Sequence, residues 1–250
     1  MDHSAYIHTV PGSRTAVLMM HGIMGTPRHF DMLQPLIPED WSVYNVLLPG
    51  HGGTALDFGR SSMAEWKGHV MSLFDELCER YESVVLAGHS MGTLFALRMA
   101  LARPDKVPFL FLLASPLSIF MKPVMVVYST RLVFGKIREA HPRECALRSS
   151  AGIQTTLRLW EYLPSIPRFL ELFEEVWSVR RLIPGLAVPC HVFQSGKDEL
   201  VSLRSLKYLR KNENMQIQIL QQSGHYYYAP EDKDRILAAF SELCGKKETR

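Results

Sequence analysis

Ser83-Val84-Val85-Leu86-Ala87-Gly88-His89-Ser90-Met91-Gly92-Thr93-Leu94-Phe95-Ala96 is the stretch around which the rest of the chain is read. A short apolar run rich in valine stops at Gly88, and a helix-forming run begins at Met91. Between them lies G-x-S-x-G in a strand, turn and helix context, which gives the motif its weight. A serine on such a turn sits in a strained backbone, and flanking glycines leave room where larger side chains would meet neighbouring backbone. The helix starting beside Ser90 offers free N–H groups and the positive end of its dipole. Both favour the negative charge of a tetrahedral intermediate, so Ser90 is the candidate nucleophile and the Met91 N–H a candidate oxyanion donor.

A serine hydroxyl needs a base, and the base needs an orienting carboxylate. Of the ten histidines, His225 is best placed, because Gln221-Gln222-Ser223-Gly224-His225 follows the last expected strand and precedes the last expected helix. Asp198, in Ser195-Gly196-Lys197-Asp198-Glu199, follows the penultimate strand, with Glu199 as the adjacent competitor. The order Ser90, Asp198, His225 is that of a hydrolase triad on a parallel sheet. The first expected strand closes on His21-Gly22-Ile23-Met24-Gly25, where a second oxyanion N–H, that of Ile23, is expected. His21, Gly22, His89 and His51 of Pro49-Gly50-His51-Gly52-Gly53 are candidate substrate contacts; the histidines can equally brace their own loops or pack.

Outward from this centre the chain alternates. Strand-length runs at Thr15 to Met20, Trp41 to Leu48, Ser83 to Ala87, Val107 to Ala114, Val188 to Gln194 and Met215 to Leu220 are mostly followed by helical patterns. Those patterns cover Thr26 to Leu36, Ser62 to Tyr81, Met91 to Leu101, Val201 to Leu209 and Asp232 to Leu243. The implied class is α/β, a mostly parallel central sheet with helices on both faces. From Leu117 to Ile183 no strand is expected, so residues 1–116 and 184–250 are assigned to the core and 117–183 to an inserted helical cap. That segment holds ten Lys/Arg against six Glu, a net +4. Its apolar residues, Phe120 first among them, either cover the sheet or line an acyl-binding wall, because the segment starts at the carboxyl end of a strand.

With 250 residues, 47% apolar and 21% charged, the composition is that of a globular chain large enough to fold without disulfides or structural metal. A net charge of +3 and the absence of like-charge blocks give no reason to expect nucleic acid as partner. Cys78, Cys145, Cys190 and Cys244 form no C-x-x-C pair and read as reduced thiols. Asp2 and His3 stand where a secretory leader would carry basic residues, Arg14 interrupts any apolar run, and no stretch is long enough to span a membrane. The expected location is cytoplasmic. No H-E-x-x-H, Walker or G-x-G-x-x-G pattern occurs, so neither metal nor organic cofactor is expected.

Met19 to Thr26, Leu48 to Gly52, Gly88 to Gly92, Gly196 to Val201 and Ser223 to His225, in this order, resemble the α/β-hydrolase superfamily, and within it the bacterial carboxylesterase and monoacylglycerol lipase branch. The resemblance implies the α/β-hydrolase fold and a serine hydrolase acting through an acyl-enzyme on Ser90. It places nucleophile, acid and base on Ser90, Asp198 and His225, and the oxyanion N–H groups on Ile23 and Met91. The expected substrate is a short- to medium-chain ester or a monoglyceride. Thioester, carbon–carbon, perhydrolytic and aminopeptidase chemistry are alternatives on the same triad, and a non-catalytic ligand receptor is the alternative of a different class. An aminopeptidase is expected to present acidic residues, from among Glu161, Glu171, Glu174 and Glu175, to the site. The alternation of apolar and basic residues from Met121 to Arg138 suits transient contact with a membrane surface. Monomer and homodimer both stay open.

Overall fold

The computed structural model describes residues 3–245; Asp2, used above in reading the N-terminus, lies outside them. Seven strands form one sheet: β1 (Tyr6–His8), β2 (Thr15–Met20), β3 (Ser42–Val46), β4 (Ser83–His89), β5 (Leu110–Leu113), β6 (Cys190–Ser195) and β7 (Met215–Leu220). Their order is β1-β3-β2-β4-β5-β6-β7, with β1 antiparallel to β3 and every other pairing parallel. The helices are α1 (Ala55–Arg60), α2 (Met63–Arg80), α3 (Met91–Ala102), α4 (Pro123–Val133), α5 (Pro142–Ser150), α6 (Ile166–Leu182), α7 (Leu206–Leu209) and α8 (Pro230–Leu243).

Period-two alternation divides the core. Leu18, Met20, Val84, Leu86 and Leu112 face one side of the sheet with α2, α3 and α6. Val17, Met19, Val85, Ala87 and Phe111 face the other with Phe30 and α8. Because both faces are covered, β4 buries every residue from Val84 to His89. Strand β4 sits centrally, so the turn that ends it is held by both neighbours: the Ser90 N–H donates to Leu113 O at 2.9 Å.

The elements between the landmarks depart from expectation for local reasons. Thr26 to Leu36 forms two short 3-10 turns, Pro27–Phe30 and Gln34–Leu36, rather than one helix, because Pro35 has no N–H to continue a helix and its ring crowds the preceding turn. Val201 to Leu209 shrinks to a 3-10 turn, Leu203–Ser205, running into α7. Its first residues are taken elsewhere, since Val201 bridges Ile119 and the N–H groups of Leu200 and Val201 donate to Asp198 Oδ1 at 2.8 and 2.7 Å. Two elements were not expected at all. Strand β1 is three exposed edge residues, and α1 is a six-residue helix announced by a capping box between Thr54 and Asp57.

Between β5 and β6 the chain forms α4, α5, a 3-10 stretch Leu159–Ser165 and α6, and no named strand. Its charges do not simply face water. Glu144 and Glu175 are buried, Glu144 against Arg131 and Arg138, and Glu175 against Arg98 and Lys67 of the core. Among the described residues no helix is long and apolar enough to cross a membrane, and none of the four cysteines forms a disulfide.

Candidate active site

The loops leaving β2, β4, β5, β6 and β7 converge at the carboxyl edge of the sheet. Among the described residues three non-glycine residues have positive φ, namely Met24, Ser90 and Ala114, one in each of the first three of these loops. Ser90 has φ +51° and ψ −121°, a conformation that costs on the order of 1–3 kcal/mol and persists only where its surroundings impose it. The flanking glycines show how. A Cβ on Gly88 would lie 2.7 Å from Thr93 N, and one on Gly92 only 1.9 Å from Met20 O. Neither clash involves a movable side chain, so the strands and α3 can approach this closely only around glycine. Met91 is the first residue of α3 and its N–H has no partner within the helix.

The 21–25 loop abuts the same point, since a Cβ on Gly22 would lie 2.9 Å from Ser90 Cβ. Ser90, His225 and Ile23 line one cavity of about 410 Å³ together with Pro116, Ile119, Met121, Phe169, Leu172, Phe173, Leu200 and Val201. His225 is the one ionisable group other than Ser90 in that lining. Its Nδ1 faces Asp198 Oδ2 at 2.9 Å and Oδ1 at 3.1 Å, and both side chains are almost fully buried. This places the proton on Nδ1 and leaves Nε2 as the basic nitrogen. Asp198 is oriented in turn by the Leu200 and Val201 N–H groups. Glu199, the sequence competitor, turns away from the imidazole ring and accepts the His225 backbone N–H on Oε2 at 2.8 Å.

The other histidines read as candidates are scaffolding. His21 Nε2 accepts the Leu48 N–H at 3.1 Å and its Nδ1 meets Gly22 O at 2.8 Å, tying the first two loops together. Burial pushes its pKa down to about 4. His51 meets Pro49 O and packs on Phe58 and Trp66; burial, with His21 nearby, holds it well below the usual imidazole range. His89 donates to His225 O at 3.1 Å and stacks on His29 at 3.6 Å between ring centroids. Burial and then neighbouring imidazoles keep His89 well below its ordinary pKa and His29 at about 3. None of these is part of the cavity lining, and neither is Gly22. Phe120 is likewise absent from that lining: its side chain is exposed and its N–H is spent on Leu200 O. Its neighbours Ile119 and Met121 take the wall instead.

Sequence reasoning missed Gly152 and Arg143. Gly152 sits where a Cβ would fall 1.7 Å from Gly25 O; its N–H donates to Met24 O at 2.7 Å and its carbonyl accepts from Gly52 N at 2.6 Å. A glycine in a segment without a strand pattern carries no local signal for this. None of Glu161, Glu171, Glu174 or Glu175 lines the cavity; Glu171 pairs with Arg168 and Glu175 with Arg98. Among the described residues no group of three His, Cys, Asp or Glu could hold a metal ion.

A parallel sheet crossed by helices, with a strained serine between its central strand and helix and a carboxylate-bound histidine across the cavity, defines an α/β hydrolase. The family model of that name, the alpha/beta hydrolase family, matches residues 17–239, and the chain belongs to it. A carboxylesterase of Bacillus subtilis (strain 168) is 23% identical over 245 residues, covering 95% of each chain. A pimeloyl-[acyl-carrier protein] methyl ester esterase of Neisseria meningitidis is 26% identical over 238 residues, covering 87% of this chain and 73% of that protein. Among solved structures, the monoacylglycerol lipase of Paleococcus ferrophilus superposes with a TM-score of 0.68 at 17% identity, over 99% of this chain and all of that one. A structure from work on the metagenome-derived lipolytic enzymes LipS and LipT gives a TM-score of 0.74 at 18% identity, over 98% of each chain.

Proposed function

We propose that the chain is a carboxylesterase that cleaves short- to medium-chain esters or monoglycerides through an acyl-enzyme. Ser90 Oγ attacks the ester carbonyl as His225 Nε2 takes its proton, and Asp198 holds the imidazole and offsets the imidazolium charge. The N–H groups of Ile23 and Met91 receive the oxyanion. The imidazolium then protonates the departing alkoxide, and a water activated by the same nitrogen releases the acid. The helical segment 117–183 serves as a cap whose α6 supplies Phe169, Leu172 and Phe173 to the acyl wall.

One observation carries this reading: the nucleophile and the base share a cavity, partly open to solvent, whose other lining residues bear no ionisable side chain. Such a wall suits an acyl chain and gives no partner to a free α-amine, which weighs against the aminopeptidase alternative. The test is hydrolysis of p-nitrophenyl acetate, butyrate, octanoate and palmitate by the wild type and by Ser90→Ala. Activity peaking between four and eight carbons and falling by roughly 10⁴-fold or more in the variant is expected. A wild type inert on every chain length overturns the esterase assignment.

Transient contact with a lipid surface is part of the proposal. Met121, Phe169 and Phe173 both line the cavity and reach solvent, with Phe120 and Leu170 exposed beside them. An acyl chain leaving a bilayer would thus meet apolar side chains from the surface to Ser90. Co-sedimentation with vesicles that is abolished by Phe120→Ser with Leu170→Ser supports this contact, and no sedimentation of the wild type overturns it.

A further inference from the structure

Two consecutive carboxylates grip His225 from different sides. Asp198 holds the ring, while Glu199 Oε2 accepts the backbone N–H at 2.8 Å. Both carboxylates are buried, so a second full negative charge stands beside the base. Its counter-charge comes from the helical segment rather than from the sheet. Arg143, at the start of α5, pairs through Nη1 with Glu199 Oε1; the same nitrogen donates to Lys197 O at 3.0 Å, and Nη2 donates to Gln222 O at 3.0 Å. One guanidinium therefore ties the acid loop to the base loop. The space was made for it: a Cβ on Gly224 would lie 2.6 Å from Glu199 Oε2 and 2.8 Å from Arg143 Nη1. Any larger residue before the base would have to displace the ends of these two side chains.

We propose that Arg143 and Glu199 are a positioning pair for His225, Glu199 fixing the seat of its backbone and Arg143 cancelling the carboxylate charge, so that the helical segment sets the proton affinity of the base. This rests on the reading of His225 as the general base. The other groups facing His225 are accounted for. His89 from the end of β4 lies 4.9 Å from its ring and stacks on His29, and both are neutral in the physiological range. Tyr226 packs on the ring edge, and burial followed by the Asp198 charge raises the pKa of both Tyr226 and Tyr228. Lys197 bonds to Gln222 and Asp232 to Ser223. The Arg143 and Glu199 charges are the pair free to be removed without touching the reacting groups.

The signs differ between the two partners. Arg143→Met leaves the Glu199 carboxylate unopposed, which favours the imidazolium and moves the acid limb of the pH profile upward. Glu199→Gln keeps an acceptor for the His225 N–H but leaves the Arg143 cation, and moves the limb downward. Each shift is expected at roughly half a pH unit or more, and the double variant is expected to return close to the wild type. Arg143→Lys should hold the limb in place, because the charge survives, while lowering the rate through loss of the contacts to Lys197 O and Gln222 O.

The readout is the pH dependence of inactivation by a fluorophosphonate. Ser90 Oγ bonds to phosphorus, fluoride leaves, and the serine proton passes to His225. This requires the base but no particular ester, so a wild type that is inactivated yet cleaves no ester sinks the esterase reading and leaves the pair testable. If the wild type resists the reagent, the His225 ring protons titrated by NMR replace it, with the same expected signs. Opposite shifts that cancel in the double variant support the proposal. Shifts of one sign, or limbs that do not move while rates fall, assign the pair to folding alone and overturn it. Should Arg143→Met fail to fold, the near-isosteric Glu199→Gln carries the test alone, and an unmoved or raised limb overturns the proposal.

Discussion

Strand β4 buries six consecutive residues, from Val84 to His89, whereas α6 buries only Leu172, Glu175, Val176 and Val179 of its seventeen and exposes Phe169, Leu170, Phe173 and Trp177. Among the described residues, 15 of the 18 exposed large apolar side chains lie between 117 and 183. The sheet and the helical segment thus keep their places by different means. Apolar packing on both faces and backbone approach around glycine hold the sheet. Much of the segment's attachment is polar: Glu175 to Arg98 and Lys67, Arg168 to the carbonyls of Gly59 and Ser61, and Arg143 to Glu199. Directional bonds place the segment on the loops around Ser90 and His225 without covering their apolar opening, and they free its apolar side chains for the cavity and the surface.

The sharpest way to break this contrast is to crowd each region at its tightest glycine. Gly92→Ala drives a Cβ into Met20 O at the centre of the sheet, and it is expected to cost about 3 kcal/mol of stability, read as a fall in Tm of roughly 6–12 °C. Gly152→Ala meets Gly25 O at a comparable distance, but at the contact between the segment and the loop carrying Ile23. Here the sheet should stay folded while kcat falls on the order of 100-fold, because the loop that offers the Ile23 N–H must shift. A Gly152→Ala protein with full activity would show that the segment does not hold that loop.

Attachment by charge predicts a smaller, separable loss. Glu175 is 5% exposed and serves two cations. Glu175→Gln is expected to lower stability by at most about 3 kcal/mol, with kcat unchanged, because neither Glu175 nor its two cations line the cavity. Guanidinium and urea unfolding, compared for the two proteins, separate the charge contribution from the packing one. The pH dependence follows from Glu144. Burial opposes its ionisation, but the bonds from Arg138 and Arg131 outweigh this and hold it down to about 2, from 4.5. A carboxyl depressed in the folded state stabilises above its unfolded value and loses that contribution as pH falls through the folded one. Amide exchange in α4 and α5 should therefore accelerate between about pH 4.5 and 2 before exchange in β4 does.

The two regions also differ in how much of them the sequence disclosed. Strands β2 to β7, the serine turn and the Asp198 and His225 loops were legible because their signals are local: a motif, a period of two, a glycine with backbone against it. The bond between His225 and Asp198 followed from chain order and the parallel sheet. Arg143 was not legible, since its partner Glu199 lies 56 positions away and arginine in a helical segment has the same appearance whether paired or solvated. Phe120 was singled out for the wall ahead of Phe169 and Phe173, because composition does not tell which side of a helix meets the cavity. Pro35 shows the converse: a readable breaker overlooked beneath a persuasive helix start at Thr26-Pro27.

The smallest effect sharpens that last point. Leu170 and Phe173 stand one helical turn apart on α6, 59% and 51% exposed, and only Phe173 lines the cavity. By exposure alone the two serine variants would be equivalent, each within about 0.5 kcal/mol of wild-type stability. By placement they are not. Leu170→Ser should leave kcat/KM for p-nitrophenyl octanoate unchanged, while Phe173→Ser lowers it roughly three- to ten-fold, the equivalent of about 1 kcal/mol of apolar contact with the acyl chain. For the acetate ester, whose acyl group is too short to reach α6, both variants should match the wild type. An equal loss on acetate and octanoate would mean that Phe173 supports the loops around Ser90 rather than the chain, and the wall would then belong to β5 and β6 with their following loops alone.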